Sequence, residues 1–139
     1  MIDLNQYIDP VCLDKPGVEP LKGSAAFPHN VAVNTGNEPI GDLDGYAVVI
    51  IGVPDDRSSG NTGAALAPDA IRKSLYSFSR LPGRLKVTDL GNFRPGASFD
   101  DTIAGLRDVL LQLISRNIVP VVIGGTSALM PAIDRALSA

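Results

Sequence analysis

The chain reads as an α/β protein, a parallel sheet with flanking helices, and three observations predict it. Residues 46–54 and 118–123 are continuous apolar runs rich in β-branched side chains, without the polar alternation of a strand that has one wet face. Between them Ile103, Leu106, Leu110, Leu113 and Ile114 recur at the 3.6-residue period of a helix. The elements also alternate strand, helix, strand, helix, strand, helix, which right-handed crossovers turn into a parallel sheet covered by helices.

Residues 1–45 are expected to be an irregular N-terminal arm, because Pro10, Pro16, Gly17, Pro20, Gly23, Pro28, Gly36, Pro39 and Gly41 interrupt each candidate element. One short helix is placed near Leu4 to Tyr7. The α/β portion spans 46–139. Its first strand, 46–54, is central and covered on both faces. A polar, glycine-rich loop follows, and the helix of 68–78 opens on Pro68 and spaces Ile71, Leu75 and Phe78 along one face. Residues 85–90 form a short strand ended by Gly91. Ser98-Phe-Asp-Asp101 has the Ser-x-x-acid form of a helix start, and the period behind it carries that helix to Asn117. Residues 118–123 are a second buried strand closed by Gly124-Gly125, and 126–137 are weakly helical with Pro131 near the start.

Composition excludes several function classes. A chain of 139 residues fits one domain on the usual scale of roughly 100–200 residues, and 45% hydrophobic with 19% charged side chains is a globular balance. The net charge of −3 leaves no cationic excess for a phosphate backbone or an anionic membrane, so neither nucleic acid nor membrane is an expected partner. The apolar runs fall far below the ~18 residues of a membrane span. One cysteine, Cys12, permits no internal disulfide, which fits a reducing compartment, and the cytoplasm is the expected location. Cys12 itself reads as a small, half-buried side chain. The lone imidazole, His29, sits in the arm without acidic neighbours at ligand spacing and reads as a surface residue.

Ligands of open α/β sheets bind beyond the carboxyl ends of the strands, which directs attention to residues 52–68 and 124–127. The first loop holds Asp55, Asp56, Arg57, Asn61 and several hydroxyls among glycines that allow close backbone approach. It reads equally as a polar pocket wall and as a solvated connector in which Asp55 and Asp56 cap turns. Arg72 could hold a carboxylate across a loop, but a solvated helix face accounts for it more simply. In the second loop the amides of Gly124-Gly-Thr-Ser127 could receive an anion, although neither a P-loop lysine nor a full Gly-x-Gly-x-x-Gly is present.

Val49-Ile-Ile-Gly-Val-Pro-Asp-Asp-Arg57, Asn61-Thr-Gly-Ala64, Ala67-Pro-Asp-Ala-Ile-Arg72, Asp89-Leu-Gly91 and Pro120-Val-Val-Ile-Gly-Gly125 resemble, in order and spacing, the N-terminal half of the ureohydrolase family, which includes arginase, agmatinase and formimidoylglutamase. The form Gly-Val-Pro-x-Asp-Arg is most similar to formimidoylglutamase-like members. The resemblance implies a partial parallel sheet with flanking helices from an arginase-like three-layer α/β/α sandwich, in which two manganese ions share a hydroxide that attacks an amidine or guanidine carbon. It implies a small amidine or guanidine substrate, for which Asp56, Arg57 and Asn61 of the first loop are the candidate binding residues, and the unpaired edge of a partial sheet predicts a homo-oligomeric assembly. Active members carry Asp-His after the Gly-Gly, whereas Thr126-Ser127 stand here, and no later ligand motif precedes Ala139. The expectation is an N-terminal fragment that binds no metal and is inactive alone. The alternatives are a non-catalytic homologue serving assembly or ligand binding, and a small phosphate-binding domain.

Overall fold

The computed structural model describes residues 1–12, 31–58, 60–78 and 85–139; His29 lies outside them. Among these residues one mixed sheet runs β1(Ile8–Asp9), β4(Val87–Phe93), β3(Val48–Val53), β5(Val119–Gly124), with β2(Val31–Val33) also paired to β4. Strands β2, β3, β4 and β5 are parallel, whereas β1 runs antiparallel to the end of β4. Helices α2(Phe99–Ile114) and α3(Met130–Leu137) cover one face and α1(Ala67–Leu75) the other. The expected α/β sheet with flanking helices is therefore observed.

Side-chain alternation along β3 explains the layering. Val49, Ile51 and Val53 point into the larger core with Leu106, Leu110 and Leu113 of α2, while Ile50 packs on the opposite face with Val87, Ile123 and Tyr76. Helix α2 begins at the expected place. The Ser98 hydroxyl accepts from the Asp101 amide, and the Asp101 carboxylate accepts from the Ser98 amide and hydroxyl.

The structure departs from several expectations. First, the short helix expected near Leu4 to Tyr7 is present as a 3-10 turn, Leu4–Gln6, but the described part of the arm also supplies two strands that its prolines and glycines did not suggest. Strands of two or three residues are too short to show a period, and β4 provides the template for both. Second, Gly91 does not end β4. At φ +106° it takes up a bulge opposite Ile50 and Ile51, and a Cβ there would collide with the Asp9 carbonyl of β1.

Third, β5 lies at an edge of the described sheet, with Val119 59% and Val121 42% exposed, although its composition resembles that of a fully buried strand. The Val119 amide donates to the Ala47 carbonyl, so by alternation the nitrogen of Pro120 faces the open edge, where a missing donor costs no ladder bond. Fourth, α1 is rotated from the expected orientation. Of the three expected core residues only Leu75 packs partly against the core; Ile71 and Phe78 are exposed, whereas Pro68, Arg72 and Tyr76 face the sheet. No helix among the described residues is long and apolar enough to cross a membrane. Cys12 is exposed rather than half-buried.

Candidate functional site

Strands β3, β4 and β5 are parallel, so their carboxyl ends open on the same side of the sheet, and three loops meet there. The loop after β3 is fastened to the loop after β4. The Asp55 carboxylate, 2% exposed, accepts from Arg57 Nε at 3.0 Å, Arg57 Nη2 at 2.6 Å and the Thr102 hydroxyl of α2 at 3.0 Å. The same guanidinium donates from Nη1 to the Ala97 carbonyl at 2.9 Å and from Nη2 to the Ser98 carbonyl at 3.2 Å. Thr102 also accepts from the Gly96 amide at 2.9 Å. The hydrogen bonds from Arg57 hold the Asp55 carboxyl below its ordinary range, against the opposing effect of burial.

Further along this loop, the Asp56 carboxylate accepts from the Gly63 amide at 2.8 Å, and the Asn61 carbonyl accepts from the Ala64 amide at 3.1 Å. Asp56 is half-buried and Asn61 exposed. The loop then meets β5, because Gly125 packs on the backbone of Ala64 so closely that a Cβ would overlap the Ala64 carbonyl. The structure thus brings Asp56, Arg57 and Asn61 onto one loop at the strand ends, with Arg57 turned toward α2.

A second polar cluster lies beneath α1. Asp89, in the middle of β4 and fully buried, accepts from Arg72 Nε and Nη2 at 2.9 Å each, from the Tyr76 hydroxyl at 2.7 Å and from the Gly91 amide at 3.0 Å. Arg72 extends the network to the Asn92 side chain and the Gly91 carbonyl, and Asn92 donates on to Asp69. Burial opposes the charge on Arg72, yet its bonds to Asp89 outweigh that and leave its pKa raised. Burial and the neighbouring Asp89 charge push the Tyr76 phenol well above its usual range, so it remains a neutral donor. Arg72 therefore does not occupy a solvated face. The signal that could have revealed this was Asp89 itself, a carboxylate within an apolar strand that requires a cation or several donors.

At the end of β5, the Thr126 hydroxyl accepts from the Ala128 amide at 3.1 Å and caps the 3-10 turn Ser127–Leu129 that leads into α3. Among the described residues, no three His, Cys, Asp or Glu side chains gather where a cation could bind. Two neutral hydroxyls, one already committed to a cap, do not make a donor set for a manganese pair, which calls for carboxylates and imidazoles. The described residues do not fit that group.

A mixed, mostly parallel sheet between helix layers, with polar loops gathered at the strand ends, defines an open α/β architecture. The arginase family model matches residues 46–139, and the chain belongs to that family. Formimidoylglutamase of Salmonella paratyphi C (strain RKS4594) is 36% identical over 70 residues, covering 50% of this chain and 22% of that protein. Its counterpart from Salmonella typhi is 34% identical over 70 residues with the same coverage. The chain thus spans about a fifth of the length of these curated relatives. Among solved structures, Trypanosoma cruzi formiminoglutamase with Mn2+ superposes with a TM-score of 0.61 at 24% identity, covering 66% of this chain and 35% of that one. An oxidised form of that protein with Mn2+ at pH 8.5 gives 0.62 at 23%, covering 70% and 38%. At those identities the likeness concerns the fold.

Proposed function

We propose that the chain provides the amino-terminal scaffold of a formimidoylglutamase-like hydrolase acting on linear amidine or guanidine C–N bonds, and that residues 1–139 alone are inactive for want of metal-holding side chains. The observation that carries this reading is the family match over 46–139, the segment whose loops gather at the strand ends. Asp56, Arg57 and Asn61 are this chain's contribution to the substrate site. An amidinium is planar and cationic and presents paired N–H donors, which suits the Asp56 carboxylate, while the Asn61 amide can both donate and accept. Arg57, bonded to Asp55 and to the loop after β4, contributes the placement of the loop.

A second reading, a non-catalytic homologue serving assembly or ligand binding, is favoured by Thr126, whose hydroxyl caps a helix at the position where the resemblance calls for ligands. Under either reading we place the protein in the cytoplasm as a homo-oligomer. A strictly monomeric mass by light scattering would overturn the assembly.

The test is to incubate the 139-residue chain with Mn2+ and N-formimidoyl-L-glutamate and measure formamide and glutamate. Release no faster than in buffer is expected, and turnover would overturn the inactivity. Amide shift changes at Asp56 and Asn61 on titrating the same compound support the substrate site, and unchanged spectra at millimolar ligand count against it.

A further inference from the structure

The sequence places Arg57 beside Asp56 as if both faced the same ligand, but the structure turns its guanidinium the other way. Donors on three of its nitrogens reach Asp55 on its own loop, the carbonyls of Ala97 and Ser98 on the loop after β4, and the Thr102 hydroxyl on α2 at 3.0 Å. Thr102 completes the junction from the far side, donating to Asp55 Oδ2 and accepting from the Gly96 amide. Asp55 and Thr102 are buried at this junction, whereas the Arg57 side chain is 40% exposed. The planar fork matters here, because it grips both Asp55 oxygens and still reaches two carbonyls of another loop, which a lysine ammonium cannot do.

We propose that Arg57 is a positioning residue, which together with Asp55 and Thr102 locks the loops after β3 and β4 into one rigid rim, so that Asp56 and Asn61 meet an amidine ligand already in place. The proposal rests on the substrate site described above and adds how that site is held. Its physical consequence is preorganisation: a loop fixed before binding loses less conformational freedom when the ligand arrives. Coupling between the loops also follows, since a change on α2 must be felt on the loop after β3 although no covalent path shorter than the intervening strand and helix connects them.

The experiment measures amide hydrogen exchange in the 139-residue chain, with reporters at the Arg57 amide, bonded to Asp55, and the Gly63 amide, bonded to Asp56. Thr102→Val keeps the shape of the α2 side chain and removes its hydroxyl, while Thr102→Ser keeps the hydroxyl. The valine variant should speed exchange at both reporters at least tenfold while the amides of Val49 and Ile51 in the core strand keep their rates, and the serine variant should restore the reporters. Arg57→Lys, which retains the charge but not the fork, should behave like the valine variant. Unchanged reporter rates in the valine and lysine variants, or a serine variant as fast as valine, would overturn the proposal. Should Val49 and Ile51 accelerate equally in the valine variant, the half-exposed Arg57→Lys site decides between the same two outcomes.

N-formimidoyl-L-glutamate is titrated in parallel. A shift at Asp56 and Asn61 that weakens at least tenfold in Thr102→Val supports the positioning role, and equal affinity in the two chains overturns it. Absence of any shift in the unsubstituted chain removes the substrate reading, and the exchange rates then judge the clamp independently.

Discussion

Replacing Arg72 by methionine sets two accounts of α1 against each other. By hydrophobic periodicity Ile71 faces the core and Arg72 faces water, whereas the structure buries Arg72 completely against Asp89 and leaves Ile71 44% exposed. Methionine preserves much of the aliphatic stem but leaves Asp89 charged, buried and supported only by the Tyr76 hydroxyl and the Gly91 amide. Breaking one partner of a buried pair costs about 3–5 kcal/mol, a large part of a typical domain stability of about 5–15 kcal/mol. With a urea m-value near 2 kcal/mol per molar, the midpoint should fall by roughly 1.5–2.5 M.

Ile71→Ala should cost under about 1 kcal/mol, because much of that side chain is already wet. The double variant Arg72→Met with Asp89→Leu should recover only part of the loss, since it removes the lone buried charge but also the acceptor of the Tyr76 hydroxyl and the Gly91 amide. Urea unfolding followed by far-ultraviolet circular dichroism measures all three. A loss below about 1 kcal/mol for Arg72→Met, or a larger loss for Ile71→Ala, would refute the assignment of the buried face.

Three further outcomes follow. The Asp55 carboxyl is held below its ordinary pKa of 3.8, so its contribution is present above that value, wanes as pH falls below it, and is gone once pH drops through the depressed folded value; Asp55→Asn should flatten this acid limb of a stability–pH curve. Ser98→Ala removes the hydroxyl that caps α2 and should lower stability by about 1 kcal/mol in thermal or urea melts, with Ser98→Thr, which keeps the hydroxyl facing Asp101, close to the original. Gly125→Ala forces a methyl into the Ala64 carbonyl and should cost about 1–3 kcal/mol by the same melts; an unchanged midpoint would show that the β5 end and the loop after β3 are not in close contact.

The strongest features of the fold were legible because they are repeated signals. Helix α2 combines four turns of period with an N-terminal box, and β3 is a long β-branched run that the structure buries on both sides. What escaped were features whose cause lies elsewhere in the chain. Residues 8–9 and 31–33 become strands only because β4 offers free backbone groups on one edge, and nothing within two or three residues announces that. The orientation of α1 depends on Asp89, seventeen residues beyond Arg72, so a pattern taken within the helix alone points its apolar residues the wrong way. At the candidate site the relevant loop was identifiable from its glycines and polar residues, but the direction of Arg57 was not, because its partners are carbonyls of Ala97 and Ser98 that carry no side-chain signature.

The two polar clusters do different work on opposite faces of the sheet. The Arg72–Asp89–Tyr76 network is sealed beneath α1, and its phenol is kept neutral by burial, so it fixes one orientation of a helix whose apolar stripe would otherwise favour another. The Asp55–Arg57–Thr102 cluster lies at the rim on the α2 side, keeps its guanidinium half in solvent and spans two loops instead of a helix and a strand. A buried pair of the first kind gives specificity of packing with little net stabilisation, whereas the rim pair of the second kind restrains loop motion with its carboxylate buried and its guanidinium still partly in water. Substitutions at Arg72 should therefore appear in global unfolding, and substitutions at Arg57 in local exchange near the strand ends. A chain in which Arg57→Lys lowered the urea midpoint as far as Arg72→Met would contradict that division.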